Sequence, residues 1–201
     1  MNTDTTQNQA SSSSNVTVPA AAAVYDIDTS HSSVTFKVRH MMVANVRGEL
    51  GQVSGQVTLD EADLTRSSVN ATIDAATIST RDAKRDEHLR SADFLDVAGH
   101  PLITFKSTRI QAGKGGALFV IGDLTIRGTT REVTLDVETP SPEVRDPWGN
   151  VKRGIAARAR INRKDFGVSW NVALEAGGIL VGDEISINLE IELLRKPATA
   201  A

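Results

Sequence analysis

The sequence predicts an all-β fold, about eight antiparallel strands in one sheet that curls into an extended barrel, with a short helical insert. Three observations carry that expectation. Apolar and polar residues alternate with period two through most of the chain. Glycines recur in or beside the alternating segments, as at Gly48, Gly55, Gly122 and Gly182. A single charged, helix-prone stretch, Ser79 to Asp96, interrupts the pattern.

Taken in chain order, residues 1–23 are dominated by Thr, Gln, Asn, Ser and Ala. They cannot bury enough apolar area to offset the entropy of ordering, so a disordered polar tail is expected. The folded domain is expected over 24–195, with a second short tail over 196–201. Val34, Phe36 and Val38 alternate with Thr35 and Lys37. His40 to Ala44 is read as a helical turn. Val53, Val57 and Leu59 share one face of the next strand, and Val69, Ala71 and Ile73 one face of another. Ser79 and Asp82 have capping-box spacing, which places a helix from about Arg81 to Arg90. Pro101 marks a break before Ile103 and Phe105.

Leu118, Val120, Leu124 and Ile126 form one face, and Val133, Leu135 and Val137 return after Arg127-Gly128-Thr129-Thr130. That is a hairpin with a loop of roughly four residues. Asp146 to Asn150 reads as a turn, and 173–182 as a loop. Ile155, Ala157, Ala159 and Ile161 oppose Ala156, Arg158 and Arg160. The clearest segment is Ile185 to Leu193, where every odd position is apolar and every even one polar. Only a strand puts those two sets on opposite faces, and a wet face suits antiparallel pairing. A sheet of this size closes into a barrel or splits into a sandwich, and periodicity alone does not separate the two. Closure removes edges, and glycines in strands supply the bends it needs, which favours the barrel.

Composition removes several function classes. There is no cysteine, which excludes thiol catalysis, disulfides and thiolate zinc sites. The net charge of −3 comes from mixed acids and bases, with no basic patch to displace counterions from nucleic acid. No run approaches the about 18 apolar residues of a membrane-spanning helix. His31, His40, His88 and His100 form no metal-ligand spacing, so neither a metal nor a cofactor is expected. Ser54 lacks the setting of a nucleophile elbow, and Gly113 to Gly116 is no phosphate loop. Aromatic residues are scarce, so the interior must be built from Val, Ile, Leu and Ala. Arg85, Asp86 and His88 cluster on the helical insert. They read either as a polar site at a cavity mouth or as a solvated helix face, with pairs such as Asp82 and Arg85. No secretory leader is evident at the start, so the chain as encoded is expected in the cytoplasm.

Several blocks resemble the YceI-like family of lipid- and polyisoprenoid-binding proteins. They are Tyr25 to His40, Val46-Arg47-Gly48, Arg85 to Asp96, Pro101 to Ser107, Gly122 to Thr130, Ile161 to Gly167 and Gly182 to Ile185. They occur in family order over the whole expected domain. The resemblance implies a lipocalin-like barrel whose lumen holds a polyisoprenoid, an isoprenoid quinone or a related lipid. It also implies homodimers, which occur in the family, and a periplasmic location as the alternative, since many relatives carry a secretion signal. A non-catalytic carrier or scavenger is therefore expected, with Phe36, His40, Arg85, Asp86, Phe94, Phe105 and Trp170 near the ligand. Two other readings stand beside it. One is an enzyme acting on a lipid-like substrate through Arg85, Asp86 and His88. The other is an interaction module whose barrel is packed solid.

Overall fold

A computed structural model describes residues 22–175 and 177–197. Its strands are β1 (Ala23–Ile27), β2 (Ser33–His40), β3 (Ala44–Glu49), β4 (Val53–Leu59), β5 (Ser68–Asp74), β6 (Leu102–Ala112), β7 (Leu118–Ile126), β8 (Thr129–Val137), β9 (Val144–Arg145), β10 (Val151–Asn162) and β11 (Val181–Arg195). The α-helix α1 spans Ala83–Arg90. The expected tails lie outside the described residues apart from Ala22, Ala23, Lys196 and Pro197, and Ala23 opens β1.

Eight strands close an antiparallel ring in the order β1, β4, β5, β6, β7, β8, β10, β11. Strand β11 closes it. One of its edges pairs with β10 from Asn162↔Glu184 to Lys152↔Leu194. The other pairs first with β2, from Ile185↔Val38 to Glu190↔Ser33, and then with β1 near its end, as at Ile27↔Leu193. Strands β1 and β2 thus act as one broken strand, and β3 extends the wall beside β2. The shortest seam is between β8 and β10, with only Ala157↔Val137 and Arg158↔Asp136 paired.

The alternating residues face as their parity demands. Val34, Phe36 and Val38 on β2, and Ala157, Ala159 and Ile161 on β10, are buried, while Lys37, Arg158 and Arg160 are exposed. Two glycines make room for aromatic rings inside. A Cβ on Gly48 would lie 2.6 Å from the Phe36 ring, and one on Gly122 would lie 2.7 Å from the Phe105 ring. An inward ring laid over a glycine restores the packing that the missing side chain gives up.

Three local readings are corrected. The helix starts at Ala83, capped by Asp82, whose carboxylate accepts from the Arg85 amide at 3.0 Å. Ser79 does not cap it, because its backbone is bridged to Glu49 on β3. His40 to Ala44 is not a helical turn but the tip of the β2–β3 hairpin, since His40 pairs with Ala44. The β7–β8 connection is the two residues Arg127 and Gly128, both with positive φ as a tight hairpin turn requires. Strands β1, β3 and β9 had no strong period-two signal. On β3 only Val46 is a large apolar residue, and the strand is mostly exposed.

Candidate functional site

The barrel is not solid. Its interior holds two chambers, of about 150 Å³ and about 120 Å³. The first occupies the middle of the ring and is lined by aliphatic side chains with Phe105, and its only hydroxyl side chains are Ser67 and Thr104. The second lies under α1 and includes Phe36, Leu89, Phe94 and Phe166. Leu50, Ile103, Ile126 and Ile187 border both chambers and form a waist between them. Inward side chains such as Val69, Leu124, Val133 and Leu135 remain only half-buried. A void this apolar stays dry and is suited to a hydrocarbon guest.

One charged side chain borders this space. Arg163 follows β10 on the inward parity and is 4 % exposed. Its Nε donates to the Gly182 carbonyl at 2.9 Å, and its Nη1 to the Val168 and Trp170 carbonyls at 2.7 and 2.9 Å. Its Nη2 donates to the Val181 carbonyl and to the Asp183 carboxylate at 3.2 and 3.3 Å. All five guanidinium donors are thereby used. Burial pushes the guanidinium below its ordinary value, and Asp183 opposes that shift. Arg163 therefore fastens the loop over the second chamber and leaves the chamber itself apolar.

The far end is sealed by Tyr25, which is fully buried on β1. Its hydroxyl donates to Glu143 at 2.6 Å, and the Arg153 guanidinium lies 5.9 Å from its ring centre. Burial, followed by the Glu143 hydrogen bond, pushes the phenol up to about 12. Arg153 pairs with Glu61 at 2.7 Å, and Arg195 with Glu143 at 2.8 Å. This polar plug and Arg163 were absent from the sequence-derived site. Parity was the available signal, since positions 153 and 163 both continue the inward set of β10 and Tyr25 is inward on β1.

The structure divides the expected ligand residues into groups. Phe36 and Phe94 line the second chamber, and Phe105 lines the first. Trp170 lies behind Phe94 at 5.1 Å between ring centres and packs edge-on against His88 at 4.7 Å, outside both linings. His40 ends β2 opposite Val181, also outside them. Arg85 and Asp86 turn to Thr80. The Arg85 Nε donates to the Thr80 hydroxyl at 2.7 Å, and its Nη2 to the Thr80 carbonyl at 3.1 Å. The Thr80 amide donates to Asp86 at 2.7 Å, joined by the Thr80 hydroxyl. Arg85 also approaches Asp82 at 3.8 Å, the helix-face pairing weighed from the sequence. His88 instead meets Asp93 at 2.9 Å. Arg85, Asp86 and His88 therefore do not converge on one reacting position.

Asp86 is a structural clasp for the segment entering α1. Burial alone would raise its carboxyl, but the Thr80 hydroxyl and amide outweigh it and hold the group below the ordinary carboxylate range. Asp86→Ala is expected to cost about 1–3 kcal/mol, because it orphans buried donors of Thr80. A depressed folded value means that the contribution is complete above the unfolded value near about 3.9 and is lost as pH falls through the folded one. Thermal melts of the parent and the variant should differ at neutral pH and converge in acid.

Among the described residues, Asp28, His31 and Glu192 bring three ligand atoms within 4.8 Å of one another. The Lys152 ammonium lies 2.6 Å from Glu192 and 3.5 Å from Asp28, so the cluster already contains its cation. Among the same residues no helix is long and apolar enough to cross a membrane.

Comparison with known proteins agrees with this architecture. The YceI-like domain family matches residues 25–193. A UPF0312 protein of Vibrio cholerae is 37% identical over 157 residues, covering 76% of this chain and 82% of the relative. A UPF0312 protein of Staphylococcus aureus is 34% identical over 168 residues, covering 84% and 95%. The crystal structure of Burkholderia cenocepacia BcnA superposes with a TM-score of 0.72 at 25% identity, covering 83% of this chain and 98% of BcnA. A polyisoprenoid binding domain from Saccharophagus degradans shares the fold, with a TM-score of 0.62 at 13% identity, covering 87% of this chain and 99% of that domain.

Proposed function

The chain belongs to the YceI-like family, and from that premise we propose that its barrel binds a long apolar lipid chain without transforming it. The carrying observation is the lumen, two adjoining chambers whose lining is almost wholly aliphatic and aromatic. Each methylene moved from water into such a space is worth about 0.8 kcal/mol. Ten buried carbons give roughly 8 kcal/mol before ordering costs, which corresponds to micromolar affinity at best. Apolar burial has no direction, so the lumen selects for girth and length. An isoprenoid chain, slender and branched at intervals, suits a narrow space with a waist. The Saccharophagus domain of the same fold is itself a polyisoprenoid binder. The one charged side chain bordering the chambers, Arg163, is committed to carbonyls, the Ser67 hydroxyl accepts from the Asp60 amide, and Asp86, outside both linings, is held by Thr80. That favours a carrier or scavenger over an enzyme, and the open chambers disfavour a solid interaction module.

Native mass spectrometry of the purified full chain, followed by organic extraction, tests this reading. A retained lipid recovered chemically unchanged is the expected result. Absence of any retained lipid, together with no uptake of fluorescent prenyl or fatty-acyl probes at micromolar concentration, would overturn it.

A further inference from the structure

We propose that the tip of the β2–β3 hairpin is a docking element for an anionic lipid bilayer, seated on the rim of the second chamber. The tip is Met41-Met42-Val43, exposed by 44%, 55% and 78%. It does not stand alone. The Met41 amide donates to the Leu180 carbonyl at 2.8 Å, and the Leu180 amide to the carbonyl of Val172, itself 46% exposed. Four large apolar side chains thus share one corner of the molecule. Among the described residues, the remaining large apolar side chains with such exposure are Leu102, Val144 and Trp148. None of those lies on this hairpin or on the 171–180 loop.

The backbone of the tip is unusual for its sequence. Met41 and Met42 have φ values of 49° and 62°. A turn with positive φ at both central positions favours Asn-Gly, because a side chain crowds the backbone there. Two bulky thioethers are held in it and presented to solvent. Packing within the barrel does not account for them, since neither residue lines a chamber. Strain kept at an exposed position points to a use for those side chains.

Charge completes the picture. The outer face of the hairpin carries Lys37 and Arg39 on β2 and Arg47 on β3, all exposed. Lys37 stands directly opposite Arg47 in the register, a like-charge pair that weakens the hairpin in isolation. Among the described residues none of the three forms an ion pair with a carboxylate, although Glu49 lies two positions from Arg47 on β3. Arg39 braces the tip, its Nε donating to the Met42 carbonyl at 3.1 Å, while Lys37 and Arg47 present their charge to solvent. An apolar tip flanked by cations without carboxylate partners is the arrangement that inserts into the interface of a bilayer with anionic headgroups. Beyond Val38 and Val181, which line the second chamber, the wall leads directly to this tip. Docking there would bring the lumen rim against the lipid surface. Docking itself does not require a filled lumen, whereas its use in loading or delivery rests on the lipid-binding reading.

The test uses the full chain and two vesicle preparations, phosphatidylcholine alone and phosphatidylcholine mixed with phosphatidylglycerol. Co-sedimentation with the mixed vesicles, weakened by added salt and much lower with phosphatidylcholine alone, is expected. Met41→Asn/Met42→Gly should weaken that binding by about tenfold or more, since two apolar anchors are lost. The same variant should melt at a higher temperature, because Asn-Gly fits the turn. Lys37→Glu/Arg47→Glu should remove the preference for phosphatidylglycerol. Prenyl-probe uptake in solution reads the lumen separately and should not change in either variant. Equal binding to both vesicle types, or variants that sediment like the parent, would overturn the proposal. So would light scattering that shows a dimer turned to monomer by the tip variant with vesicle binding intact, which would assign the patch to a second copy of the chain.

Discussion

Ala159→Phe is expected to weaken binding of a prenyl chain by roughly a hundredfold while leaving the barrel folded. Ala159 lines the first chamber and pairs on β11 with Ile187, one of the four waist residues. A phenyl ring there takes the room of about four ligand carbons, worth ~3 kcal/mol at about 0.8 kcal/mol each. The ring enters existing apolar space, so thermal stability should hold or rise rather than fall as it does in a filled core. Displacement of a fluorescent prenyl probe measures the first effect, and a melt the second. Arg158→Phe, one residue away on the outer face, is the matched control and should bind as the parent does. Unchanged affinity in Ala159→Phe would mean that the ligand does not occupy the chamber.

The largest loss of stability is expected from Arg163→Ala. The guanidinium holds four backbone carbonyls and Asp183 in a region almost closed to water. Its removal leaves those acceptors unpaired, at a cost of about 3–5 kcal/mol. For a domain of this length that lowers the melting temperature by roughly 6–20 °C. Arg163→Lys should recover only a small part, because an ammonium has three donors without the planar fork. The second chamber is bounded by the same segment, so probe uptake should fall even at temperatures where the variant remains folded. A melt within about 2 °C of the parent would show that the network contributes little.

Much of the barrel was legible in the sequence, for a simple reason. A wall that is wet outside and apolar inside writes its geometry as period two, and β2, β4, β5, β7, β8, β10 and β11 all carry that signal. On β3 the half-buried face offers only Val46 and Gly48, too little apolar alternation for the strand to be visible. The chambers could not be read from pattern. An inward Leu135 looks the same whether it meets another side chain or empty space. Phe36, Phe94 and Phe105, named from the family blocks, do line the chambers. Arg85 and Asp86 both engage the hydroxyl and backbone of Thr80, a contact that charge spacing along a helix does not reveal. Arg163 was hidden for the opposite reason, since a cation after a strand reads as surface until inward parity is followed one step further.

The most direct test of the lipid-binding account is a chain-length series. Affinities of linear prenyl alcohols of increasing length would be measured by displacement of one fluorescent probe from the full chain. The account predicts a rise of up to about fourfold per added carbon, before ordering costs, until both chambers are filled, and a plateau beyond that length. The plateau should come earlier in Ala159→Phe. Affinity that does not depend on chain length, or no displacement by any member of the series, would contradict it.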